Sequence, residues 1–122
     1  MSIESTSIAG KYNHGIRFNF QIPKNFAYHS LANMFENDGK GIVYPVKGLY
    51  INHKSKYGDA PVIVSDFGMV NLPKHLTDTC KQMLLDDEFI AAVNANKVGF
   101  TIYAYTTKNS NEIRYSVTWI DL

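Results

Sequence analysis

Residues 98–120 run VGFTIYAYTTKNSNEIRYSVTWI. Val98, Phe100, Ile102 and Ala104 alternate with Gly99, Thr101, Tyr103 and Tyr105. After the polar loop Thr107–Asn111, the return run Glu112–Ile120 sets Ile113, Tyr115, Val117 and Trp119 against Arg114, Ser116 and Thr118. A period of two, rich in β-branched and aromatic residues, predicts a hairpin of two half-buried strands. If Phe100 and Ile102 point inward, Tyr103 and Tyr105 point outward.

Upstream, the periodicity changes. Leu76, Cys80, Met83 and Leu84 recur at i, i+4, i+7 and i+8, which predicts a helix with one buried stripe. Pro73 suits its first position, where a missing N–H costs nothing. Asp86, Asp87 and Glu88 precede Phe89, Ile90 and Val93, as at the positive end of a second helix or of a continuation after a kink. Further back, Val62–Ser65 reads as a short β-branched strand, Asp66–Gly68 as a turn and Met69–Leu72 as an extended lead-in. Val43–Lys54 alternates as one strand, with Gly48 marking a bulge or a close backbone approach. Gly15–Ile22 sets Ile16, Phe18, Phe20 and Ile22 against Arg17, Asn19 and Gln21, a half-buried strand that Pro23 ends. Between them, Ser30–Glu36 predicts a short helix through Leu31, Met34 and Phe35, and Asn37-Asp38-Gly39 a turn, although Asn25–Gly41 as a whole fits neither template.

The order is β-β-β-α-β-β, mainly β with one or two helices. It matches the five-stranded OB-fold-like barrel, with its helix between the third and fourth strands. An α+β sheet with a helix packed on one face is the alternative. A chain of 122 residues predicts one domain, residues 1–122, with 1–10 as an arm or first edge strand. Hydrophobic residues at 45% and charged residues at 19% exclude a disordered chain. The start is polar and does not resemble a signal peptide, and no apolar run is long enough to span a membrane. The single cysteine, Cys80, cannot form an intrachain disulfide and suits a reducing cytoplasm; its helical register predicts a buried small hydrophobe.

No catalytic constellation emerges. His14, His29, His53 and His75 fall in no metal-ligand spacing, and there is no nucleophile elbow or phosphate loop. The carboxylates at 86–88 splay over different helix faces, and Asp59 and Asp66 sit in turns. The sequence therefore predicts a non-enzyme with no cofactor and no metal.

Binding is better supported. The net charge of +1 conceals a segregation. Residues 40–57 hold four lysines and no acid (Lys40, Lys47, Lys54, Lys56), and residues 11–24 hold Lys11, Arg17 and Lys24 and no acid. Asp86–Glu88 concentrates negative charge on a helix. A basic strand region can track a phosphate backbone while the total stays near zero. Rings accompany this charge: Tyr50 shares a strand face with Asn52 and Lys54, Tyr57 follows Lys56, and Tyr103 and Tyr105 face outward. Tyrosines beside cations make a stacking platform for single-stranded nucleic acid. The candidate binding residues are Tyr50, Asn52, Lys54, Lys56, Tyr57, Tyr103 and Tyr105, with Arg17, Lys47 and Arg114 supplying charge. Outward tyrosines also suit cross-strand pairs or an oligomer interface.

The strings KSKYGDAP (Lys54–Pro61), NLPKHL (Asn71–Leu76), KVGFTIYAY (Lys97–Tyr105) and SVTWID (Ser116–Asp121) resemble the small single-stranded DNA-binding proteins of phages infecting Gram-positive bacteria, the lactococcal type in particular. The resemblance covers roughly the last two thirds of the chain. It implies a variant oligonucleotide-binding barrel and sequence-independent binding of single strands in phage DNA replication and recombination. It also implies self-association as a homo-oligomer (dimer or tetramer), a recombinase or annealing protein as partner, and the cytoplasm of the bacterial host as location. Lys54, Lys56, Tyr57, Tyr103 and Tyr105 are the binding residues it carries over. Cellular relatives end in an acidic tail that recruits partners, whereas this chain ends on an apparent strand with Asp121 as its one acid there. Two other classes stay open: a protein-interaction module docking on a host or phage protein, and a small-molecule or saccharide binder in the barrel mouth.

Overall fold

The computed structural model describes residues 17–53, 58–109 and 111–122. The hairpin stands as its alternation requires. Strands Val98–Thr106 and Ile113–Asp121 pair antiparallel from Val98↔Asp121 to Thr106↔Ile113. Phe100, Ile102 and Val117 are buried on the inner face, while Tyr103 is exposed on the outer one. In chain order the strands are β1 (Tyr28–Ser30), β2 (Tyr44–Pro45), β3 (Gly48–Asn52), β4 (Ala60–Val64), β5 (Met69–Asn71), β6 (Val98–Thr106) and β7 (Ile113–Asp121). The helices are α1 (Leu31–Asp38), α2 (Thr77–Leu84) and α3 (Asp87–Asn94), with a 3₁₀ turn at Lys74–Leu76. Two sheets result, ordered β1-β5-β4-β3 and β2-β6-β7. The β1–β5 pair is parallel and the other pairs are antiparallel.

The run 43–54, expected as one strand, changes sheets in its middle. The Val46 N–H donates to the Val98 carbonyl (3.0 Å), and the next donor, that of Lys47, turns to the Val64 carbonyl (2.7 Å). Pro45 faces Gly99 at a non-hydrogen-bonded position, where its missing N–H costs the ladder nothing, and the pairing with β6 runs on to Val46. The Ser65 hydroxyl donates to the Pro45 carbonyl (2.6 Å) and ties the bend to the start of the next turn. Val46, fully buried, sits at this junction.

The first expected strand is not formed. Residues 17–22 lie outside any strand, and residues 15 and 16 lie outside the described ones. Their backbone is instead tied to a side chain. The Asn19 N–H donates to Asn94 Oδ1 (2.8 Å), and Asn94 Nδ2 donates to the Arg17 carbonyl (3.0 Å). Arg17 itself donates to the Leu84 carbonyl and to Asp87, which staples this segment to α2 and α3. Phe18 is buried as its pattern predicts, but Ile22 is 47% exposed.

The architecture is mixed α/β and mainly β, with two sheets; it is compatible with a small barrel-like fold, although no closed barrel forms among the described residues. β5 does not pair with β7. Its free side takes β1, and α1, which follows β1 directly, packs on β7 with the Phe35 ring 5.5 Å from that of Tyr115. The helix expected at Ser30–Glu36 is α1. Ser30 caps it by accepting the Asn33 N–H, and Gly39, in the left-handed region at φ 86°, ends it.

Between β5 and β6 the helical stripe behaves as expected: Cys80 and Leu84 are buried and Leu76 and Met83 partly so. Pro73 stands one position earlier than predicted, as the cap of the 3₁₀ turn. α3 is a separate helix, because the Asp86 carboxylate accepts the Glu88 and Phe89 N–H groups and restarts it. Burial pushes the Cys80 thiol up to about 11. Since the thiolate is the nucleophile, Cys80 should be inert to Ellman's reagent at about pH 8 in the folded protein and react fully in denaturant. Fast reaction without denaturant would show that α2 does not seal it.

Close approach falls on different glycines from the one expected. A Cβ on Gly48 would meet nothing nearer than 3.4 Å. One on Gly68 would lie 2.7 Å from the Ala27 carbonyl oxygen and 2.6 Å from His29 Nε2. That carbonyl accepts the Met69 N–H (2.8 Å) beside the β1–β5 pairing, so it cannot yield without loosening the strand pair. Gly68→Ala should therefore destabilise the fold by about 1–3 kcal/mol, read as a lower denaturation midpoint.

Candidate functional site

The hairpin positions the most open set of expected binding residues. Opposed residues of an antiparallel pair share a face, so Tyr103 with Ser116, and Tyr105 with Arg114, project from the outer side of the β2-β6-β7 sheet. Tyr103 is 45% exposed, and its ring centroid lies 5.9 Å from that of Tyr105, tilted by 42°. At this spacing the two rings pack on each other as a tilted pair, and Tyr103 keeps the larger solvent-facing surface beside half-buried Tyr105. Arg114 stands beside Tyr105 and is solvent-exposed. Its ion pair with Glu112 spans 3.9 Å between exposed groups, so solvent screens it and the guanidinium donors remain available.

Tyr50 and Asn52 occupy the outer face of the other sheet, with Tyr50 opposite Val62 and Asn52 opposite Ala60. Tyr50 is not a free ring. It packs with Phe20 and Phe26 against buried Val62, Val64 and Met69, a second small core. Its hydroxyl is 2.9 Å from that of Tyr28 and 3.5 Å from Met69 Sδ. Burial first, then the hydrogen bond with Tyr28, pushes the Tyr50 phenol well above its ordinary value. Tyr28, 56% exposed, is the aromatic residue here that sequence reasoning missed. It lies in the stretch 25–41 that matched no template, and three residues of strand are too few to show a period.

Arg17 and Lys47 lie elsewhere. Arg17 is engaged with Asp87 and the Leu84 carbonyl. Lys47 Nζ donates to Asn96 Oδ1 (2.5 Å), and Lys47 lines a hollow of about 210 Å³ with Asn19, Asn94 and Asn96. Lys54, Lys56 and Tyr57 lie outside the described residues. The structure thus brings together Tyr103, Tyr105 and Arg114, keeps Tyr50 and Asn52 on a different sheet, and places the Arg17 side chain at the start of α3 and that of Lys47 just past its end.

The chain matches no protein-family model, no curated protein and no solved structure. The site therefore rests on its own geometry.

The expected acidic cluster is where the sequence puts it, with Asp86, Asp87 and Glu88 exposed at the start of α3. Asp59 lies in a mixed cluster: His53 Nδ1 is 2.8 Å and Lys81 Nζ 3.2 Å away, and these hydrogen bonds, that of His53 foremost, hold its carboxyl below the usual range. Among the described residues no group of three or more His, Cys, Asp or Glu side chains is placed to hold a metal ion. Likewise no described helix is long and apolar enough to cross a membrane.

Proposed function

We propose that the protein binds single-stranded DNA without sequence preference, by stacking bases on Tyr103 and Tyr105 while Arg114 holds the phosphate backbone. The observation that carries this reading is the outward tyrosine pair with a cation in cross-strand register beside it. Stacking is sequence-tolerant because every base has a π face. The run β2/β3, β4, β5, the helices, β6 and β7 fits the β-β-β-α-β-β order of an OB-like barrel, opened where β1 lies along β5 and α1 packs on β7. The resemblance to phage single-stranded DNA-binding proteins supports action in phage DNA replication and recombination inside the bacterial host. With it come a homo-oligomer and a recombinase or annealing partner. No catalytic role, cofactor or metal enters this reading.

A titration of fluorescein-labelled oligo(dT) followed by anisotropy tests it. Binding should appear at low salt and weaken as salt rises, because each neutralised phosphate releases counterions. No retention of oligo(dT) at low salt would overturn the proposal.

One observation favours a second reading, docking on a host or phage protein. Exposed Tyr28 and Ile22 flank the half-buried Phe20 and Tyr50 on the outer side of the β1-β5-β4-β3 sheet, an aromatic-rich surface of the kind protein partners cover. A partner recovered from host lysate after nuclease treatment, and lost on Tyr28→Ala, would support it.

A further inference from the structure

We propose that the bound strand does not end at the tyrosine pair but turns past Arg114 into the cleft between α1 and the end of the hairpin, where His75 contacts a further phosphate. This rests on the single-strand reading above and extends its path. The cleft is a shallow hollow of about 340 Å³, largely open to solvent, as suits a strand lying across a surface. Tyr105 and Arg114 belong both to the platform and to the wall of this cleft, so the two surfaces are continuous. Leu31, Leu72 and Pro73 add apolar wall, against which a base can lie, and exposed His75 stands on the 3₁₀ turn at the rim. None of the described residues lining the cleft carries a carboxylate. The adjoining hollow of about 350 Å³ shares His75 but has a mixed lining, with Asp59 and Asp78 beside Lys74 and Thr77. The lining free of carboxylates therefore ends at His75.

The test compares oligo(dT) of about four and about sixteen nucleotides, the span of site sizes for one such fold. Anisotropy is measured on the full chain and on His75→Glu and His75→Arg variants; the side chain is exposed, so neither should disturb the fold. His75→Glu should weaken the longer oligonucleotide by about tenfold or more, the loss of one hydrogen bond to a charged group. The shorter one should be unaffected and His75→Arg should bind at least as tightly as wild type. If His75→Glu leaves the longer oligonucleotide unchanged, or weakens both lengths equally, the cleft is not on the path, although the platform reading stands. If the unmodified protein binds neither length, both readings fall.

Discussion

Phe100→Ala should remove about 3–5 kcal/mol of folding stability, the cost of emptying a large aromatic site in a close-packed core. Phe100 is fully buried and its ring lies 5.2 Å from that of Tyr44. Its strand is the middle one of the β2-β6-β7 sheet, so the cavity would open where β2, β6 and β7 meet. A domain of this length holds only about 5–15 kcal/mol in total, so the variant should lose about a fifth of its stability or more. Urea denaturation measures this directly. An unfolding free energy within about 0.5 kcal/mol of wild type would mean that the inner face of the hairpin is not packed as described.

The second large effect is on binding. Tyr103→Ala and Tyr105→Ala together should reduce affinity for oligo(dT) by at least about tenfold. One stacked base is worth about 1–3 kcal/mol, and rings 5.9 Å apart are close enough for the two losses to be non-additive. The same double variant should keep most of its stability, because Tyr103 is 45% exposed and Tyr105 lies on the outward face. Phenylalanine at both positions should retain most of the affinity, since it keeps the ring and loses only the hydroxyl. The contrast between Phe100 and its alternating neighbour Tyr103 isolates the two faces of one strand. Unchanged affinity in the double alanine variant would move the interface away from β6 and β7.

What the residues revealed in advance follows from where local pattern governs structure. The hairpin is legible because nine-residue strands display several periods; the inward residues Val98, Phe100, Ile102 and Val117 are buried, whereas Ala104 and Ile113, near the loop, are exposed. The helix pair is legible because Asp86 is both a restart signal and a working cap. The run 17–22 also alternates, yet Asn94, 75 residues after Asn19, claims its backbone groups before a strand can. A contact that distant leaves no mark on local periodicity. The sheet switch between Val46 and Lys47 is similarly silent, since alternation continues through it while the ladder partners change.

For the site, the outward direction of Tyr103 and Tyr105 followed from alternation alone, whereas the register that sets Arg114 opposite Tyr105 is seen only in the folded hairpin. Tyr50 shows the limit of that logic. A residue on the outer face of a sheet becomes half-buried when another segment, here Phe20 and Phe26, folds over it. Arg17 illustrates the same limit for charge: its place in a basic segment does not reveal the distant Asp87 that pairs with it.

Amide chemical-shift mapping during titration with oligo(dT) tests the central claim most directly, because it reports binding and location together. The account predicts that shifts concentrate on residues 101–106 and 113–118, where Tyr103, Tyr105 and Arg114 stand. Shifts confined to the outer face of β3 and β4, or no shifts at an excess of oligonucleotide, would contradict it.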